Sequence, residues 1–170
     1  RVCSVYVPNG RGIDDPHMAY KIDWLERLGS AFGDYSRHAD AHPFVVGGDF
    51  NVAPLDSDAG DPLFLLPGST HTSDKERSAL EEFHARAGVS DVVRPLIPEG
   101  YTFWDYKQGK FAKDHGLRID FLYGSADFAD AVVGVDIHRD ERARESPSDH
   151  VPVSVEIETN GEDDDRPMVF

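Results

Sequence analysis

Apolar residues gather into short runs at positions 2–7, 43–49, 118–123, 131–137 and 151–157, each rich in Val, Ile, Phe or Tyr. Runs of this length, bounded by Gly, Pro and Asp, predict five β-strands. Between the first two the period changes. Met18, Ile22, Leu25, Leu28 and Phe32 recur at three- to four-residue steps, which puts them on one face of a helix. Asp15-Pro16 gives that helix an N-cap followed by a proline at its first position. A second helix is predicted from the capping box Ser73-x-x-Glu76, through Leu80 and Phe83, to a stop at Gly88. The proline-, glycine- and acid-rich segment 52–72 predicts a long loop. Helices alternating with strands, some of them consecutive, predict layered α/β or α+β architecture. No internal repeat or linker interrupts the chain, so one domain is expected over residues 1–158.

Composition narrows this. At 170 residues and 39% apolar, the chain can bury one core. Its mean hydropathy of -0.46 and the lack of a long apolar run exclude a membrane-spanning helix. Cys3 stands alone, which excludes an internal disulfide and a CxxC zinc site; with no leader pattern, a reducing, cytoplasmic setting is expected. The net charge of -15 weighs against unaided nucleic-acid binding. Part of it lies in a block from Glu156 to Asp165, and residues 159–170 are expected to form an acidic disordered tail. Even so the remainder is acidic, so a phosphate substrate would require a local basic patch, a divalent metal, or both. The strand pattern is already under way at Arg1, and sequence ahead of it is expected.

Four polar clusters sit at predicted strand ends. In VVGGDFNVAP (45–54), Asp49 and Asn51 would share a face if the strand persists, with Phe50 turned away. Such a patch of oxygen acceptors suits a hard cation or a phosphate-bound water, or it caps a turn. Tyr6 runs into Pro8-Asn9-Gly10-Arg11-Gly12, Arg118 and Asp120 enter a strand, and Ser148-Asp149-His150 precedes another. Each has an ordinary reading, as a stock turn or, for Arg118 and Asp120, an ion pair. Together they supply acids, an amide, an imidazole, a phenol and a guanidinium, the parts needed to hydrolyse a phosphodiester. Oxygen ligands without cysteine favour Mg²⁺ or Mn²⁺.

In their order, YVPNG, GGDFNVAP, YTFWDY, LRIDFLY and SDHVPV resemble the exonuclease III family of abasic-site endonucleases, within the endonuclease/exonuclease/phosphatase superfamily. The resemblance runs from Val2 to about Ile157. It implies a four-layer sandwich of two packed mixed sheets with outer helices. It also implies Mg²⁺-dependent DNA cleavage at abasic sites, removal of 3′ nucleotides or removal of 3′ blocking groups. By motif, Asp49 would move a proton, Asn51 would orient water or stabilise the transition state, and Tyr6 would touch the phosphate. His150, held by Asp120, would contact the scissile phosphate. Metal ligation would fall to Asp49, Asn51, Asp149 and His150. Asn9, Arg11, Arg118, Lys107 and Lys110 would follow DNA. Phe103, Trp104, Leu117 and Ile119 would line a slot for a base-less sugar, with ordinary core the competing reading for Phe103 and Trp104. Lys21 matches a family position, though a solvated helix lysine is the plainer expectation. His38 and His42 are expected to be solvated, and His17, His71, His84, His115 and His138 show no pattern.

The resemblance also implies an opening half carrying a metal-binding Glu that has no counterpart in these residues. A fragment, a separate partner chain supplying that Glu, or a degenerate relative would each account for this. A lipid or nucleotide phosphodiesterase and a non-catalytic interaction module are the competing functions.

Overall fold

The computed structural model describes residues 1–38 and 41–159. Strand β1 (Val2–Tyr6) leads into helix α1 (Pro16–Ser36), which returns the chain to β2 (Val45–Asp49), parallel to β1. Helix α2 (Asp74–Ala87) is followed by β3 (Val89–Asp91), then β4 (Asp120–Ser125), a short helix α3 (Ala126–Asp130), β5 (Val132–Ile137) and β6 (Val153–Ile157). One sheet has the order β1-β2-β4-β3, with β4 antiparallel to both neighbours; β5 and β6 form a separate antiparallel pair.

Local chemistry sets the helix ends as expected. Asp15 accepts from the His17 amide, Ser73 and Glu76 complete a capping box, and Gly88 closes α2 at φ 68°, a left-handed turn that suits glycine. The segment 52–72 is chiefly loop but holds two single-turn 3₁₀ helices, Asp56–Asp58 and Pro62–Leu65. Strand β3 and helix α3 were not anticipated, because three and five residues are too few to show a period.

Alternation along the strands divides the interior. Val46, Phe121 and Tyr123 point toward α1 and α2, where they join Leu25, Leu80, Phe83 and Phe50 in an aromatic core. Val45 and Leu122 point the other way and pack with Val92, Val93 and Phe128 against Val135, Val153 and Val155 of the second sheet. The described residues therefore supply a helix layer and two sheets of the expected sandwich. On the edge strand β1, Val2 is 83% exposed. No helix among the described residues is long and apolar enough to cross a membrane.

Candidate active site

The polar clusters meet at one end of the larger sheet. Tyr6, Asp49 and Asp120 are consecutive partners across β1, β2 and β4. Gly48, at φ 143°, lets β1 come this close, since a Cβ there would lie 1.9 Å from the Val5 carbonyl oxygen.

Asn51 reaches Asp49 by a different route from the one expected. Strand β2 ends at Asp49, and Asn51 adopts φ 52°. The turn folds the carboxamide back, so that Nδ2 donates to Asp49 Oδ2 at 2.9 Å and to the Val7 carbonyl at 2.9 Å. The Asn51 amide donates to Asp49 Oδ1 at 2.8 Å. Both side-chain N–H bonds are thus engaged, and the open capacity of this amide is acceptance at Oδ1, where Asn9 Nδ2 donates at 3.3 Å. Phe50 does turn away, into the aromatic core.

His150 arrives from the loop before β6. Its Nδ1 lies 2.8 Å from Asp120 Oδ2, and its ring packs 4.9 Å from Phe103 between centroids. The 101–104 segment brings these parts together. Phe103 bridges both Leu117 and His150, the Trp104 amide donates to the Asp149 carbonyl, and the Val151 amide donates to the Thr102 carbonyl. Buried Thr102 Oγ1 accepts from the amides of Ile119 and Asp120, at 3.1 Å each, fixing the start of β4. Sequence reasoning did not single out Thr102.

The electrostatics match this geometry. Burial and the facing Asp120 charge push the Asp49 carboxyl up from 3.8 to about 6, against the Asn51 amide and His150. For His150 burial acts downward, but the hydrogen bond and charge of Asp120 outweigh it and hold the imidazole above its ordinary value.

Several expected site residues lie elsewhere. Arg118 is buried, donating to the Ile97 and Pro98 carbonyls and pairing with Asp91 at 3.6 Å, so it presents no surface to DNA and makes no ion pair with Asp120. Lys110 is committed to Asp61. Trp104, Leu117 and Ile119 are enclosed in the interior, where Trp104 Nε1 donates to Asp114 at 3.3 Å; of the predicted slot only Phe103 is half-open, beside His150. Tyr6, Asn9, Arg11 and Lys107 are exposed, and Asp149 is half-buried next to His150. His38 and His42 are exposed as expected. The predicted acidic tail beyond residue 159 lies outside the described residues.

Lys21 reverses its expectation. It is fully buried, and its ammonium donates to the Asn51 carbonyl at 2.7 Å and to Glu76 Oε1. Lys21 falls three residues after Met18 and four before Leu25, on the apolar face of α1, and that spacing was the available signal. His71 Nδ1 donates to the same carbonyl at 2.7 Å.

Comparison with known proteins agrees with this geometry. A model of the endonuclease/exonuclease/phosphatase family matches residues 5–150. Exodeoxyribonuclease III of Haemophilus influenzae is 32% identical over 128 residues, covering 71% of this chain and 48% of the relative. An exodeoxyribonuclease of Bacillus subtilis is 30% identical over 160 residues, covering 92% and 59%. Among solved structures, a Neisseria 3′ phosphatase bound to a product DNA hairpin superposes with TM-score 0.84 at 36% identity, covering 94% of this chain and 61% of that one. An AP endonuclease from Archaeoglobus fulgidus gives TM-score 0.82 at 30% identity, covering 93% and 61%. The chain thus spans about half to three fifths of the length of these relatives. With its five motifs delivered to one sheet end, the chain belongs to the endonuclease/exonuclease/phosphatase family.

Proposed function

We propose that this chain carries the phosphate-cleaving centre of a DNA-repair phosphodiesterase, acting at abasic sites or at blocked or ordinary 3′ ends. The observation that carries the reading is the convergence of Asp49, Asn51, Asp120 and His150 at one sheet end, with Asp49 facing Asp120 across β2 and β4. The DNA-acting names of the relatives support the choice of substrate.

The residues divide the work by their hydrogen bonds. Asp120 accepts from His150 Nδ1–H, which leaves Nε2–H to donate to a phosphate oxygen as charge grows there. Asp49, pushed to about 6, lies close enough to neutral pH to accept a proton from attacking water. A new bond forms from the water oxygen to phosphorus, and the bond from phosphorus to the leaving sugar oxygen breaks. Asn51 has only Oδ1 left for the site, because both N–H bonds of this amide are already used, and through that oxygen it orients the water or helps to hold the cation. Tyr6 lies on the same sheet end with its ring exposed to an incoming phosphate.

Among the described residues no group of three or more His, Cys, Asp or Glu side chains is arranged to hold a metal ion. Those that do converge, Asp49 and Asn51 Oδ1 with Asp120 opposite, are all oxygen, and Asp120 also holds the His150 imidazole. This donor set fits part of a Mg²⁺ site, with Mn²⁺ an acceptable substitute. Asp49 and Asn51 would hold the ion, and a glutamate from outside the described residues would complete the set. When bound, the cation supplies positive charge to the phosphate oxygens and acidifies a bound water.

The test is a substrate panel: an abasic duplex, a 3′-phosphorylated duplex, an unmodified recessed 3′ end, and a phosphoinositide or sphingomyelin dispersion, each with Mg²⁺ and with EDTA. It is run on the full-length gene product. Cleavage of one or more DNA substrates, abolished by EDTA, is expected. Cleavage of the lipid alone would overturn the DNA reading.

A further inference from the structure

We propose that Lys21 is a positioning residue for the reaction: from the buried face of α1 its ammonium holds the Asn51 main-chain carbonyl, and so fixes the left-handed turn that folds the Asn51 side chain onto Asp49. The inference rests on the phosphodiesterase reading above.

Asn51 is the hinge of the site. At φ 52° it leaves the strand geometry of β2, and in that conformation its Nδ2 reaches both Asp49 Oδ2 and the Val7 carbonyl. Non-glycine residues are uncommon in this region and are strained there unless surrounding contacts support it, although asparagine tolerates it better than most. Two donors converge on the Asn51 carbonyl, Lys21 Nζ and His71 Nδ1, each at 2.7 Å. Rotation of the 51–52 peptide would take this acceptor from both donors in the interior, leaving the Lys21 ammonium with Glu76 alone.

The ammonium is itself held from behind. Glu76 Oε1 accepts from Lys21, from Thr70 Oγ1 at 3.1 Å and from the His71 amide at 3.0 Å, while Oε2 accepts from Ser73 Oγ at 2.6 Å. Lys21 holds the Glu76 carboxyl below its ordinary value in spite of burial, while burial moves Lys21 itself downward against the Glu76 charge. Helix α1, the first turn of α2 and the loop ahead of it are thereby locked to one carbonyl beside Asp49.

Stability does not explain why a lysine stands here. The other buried positions of α1 are Met18, Leu25, Gly29 and Gly33, none of them charged. Replacing a buried ion pair with apolar residues is often neutral or stabilising. A methionine and a leucine would occupy similar volume, but neither can donate to the Asn51 carbonyl. What the lysine adds is a donor of the right reach, aimed at the turn that carries the site.

The experiment compares wild type, the charge-neutral double variant Lys21→Met/Glu76→Gln, and Asp49→Ala, all in the full-length protein. Steady-state kinetics are measured on whichever DNA substrate the wild type cleaves. The double variant leaves no buried charge unpaired and is expected to melt within a few degrees of wild type. Its kcat is expected to fall by about a hundredfold with KM within about threefold, as when a reacting group shifts by about an ångström. A folded double variant with wild-type kcat, or one whose loss lies wholly in KM, overturns the positioning role. Asp49→Ala separates the two levels. If it keeps turnover, the reading of the site itself falls; if it is inactive while the double variant is fully active, only the role of Lys21 falls. In wild type, NMR should detect a scalar coupling between Lys21 Nζ and the Asn51 carbonyl carbon through the hydrogen bond. Its absence overturns the proposal whether or not any Lys21 variant folds.

Discussion

Two histidines flank strand β4 and meet opposite fates. His84, on α2, packs against Tyr123 with the rings tilted and their centroids 4.3 Å apart, and its Nε2 finds no hydrogen-bond partner among the described residues. Burial drives it down to about 4, with only weak opposition from Asp91. His150 meets Asp120, three positions earlier on the same strand, at 2.8 Å, and is held above its ordinary value. Burial opposes the charge on both rings, so the difference is the carboxylate. One end of β4 is an aromatic cluster whose burial holds its histidine below the ordinary value. The other end gathers acids around a histidine and an amide, the arrangement that makes a proton-handling site.

The largest expected effect comes from removing that difference. In Asp120→Asn, His150 loses both the charge and the fixed orientation of Nδ1–H, and kcat is expected to fall by about 10³-fold or more. An NMR titration should show the His150 pKa displaced downward, toward the behaviour of His84. Unchanged kcat, or an unchanged His150 titration, would break the contrast.

Next is acid stability. Between 6.5 and about 4 the unfolded chain binds a proton at His84 that the folded chain refuses, so His84 makes stability fall as pH falls through that window. The effect is about 3 kcal/mol and is fully absent above pH 6.5. His84→Phe should flatten this part of the curve in urea melts between pH 7 and 4.

Asp49 acts in the opposite direction. Its carboxyl is raised from 3.8 to about 6, so the folded chain binds the proton more tightly, and stability falls as pH rises through that window. Asp49→Asn in EDTA should therefore melt higher than wild type at pH 7, by about 1–2 kcal/mol, while losing activity. A lower melting temperature would mean that the Asp49 charge is already compensated within the folded chain.

Much of this was legible in the sequence, for reasons that separate local from distant physics. Helix α1 declared its start through Asp15, and α2 declared both ends through Ser73, Glu76 and Gly88, because capping acts within four residues. Asp49, Asp120 and His150 stood out because strand ends gather function. The meeting of Asp49 and Asn51 was anticipated, but through a continuing strand rather than the left-handed turn that produces it. The failures were distant pairings. Lys110 and Arg118 read as a basic stretch for DNA, yet Asp61 and Asp91 claim them from far along the chain. Glu76 was legible as a cap, and nothing local disclosed that its carboxylate also receives Lys21 across 55 residues.

The smallest effect concerns the cations left over. Lys107 is exposed after the 101–106 segment, and Lys107→Ala should weaken DNA binding modestly and reduce the salt slope by about one, with kcat unchanged. A larger loss would mark this loop as a principal DNA contact.

The central claim is tested most directly by single-turnover cleavage and DNA affinity measured side by side for Asp49→Asn in the full-length protein. Cleavage slowed by about 10³-fold or more, with Kd within about threefold of wild type, is the predicted result. Retained cleavage, or a loss accounted for by Kd alone, would contradict the assignment of the chemistry to this end of the sheet.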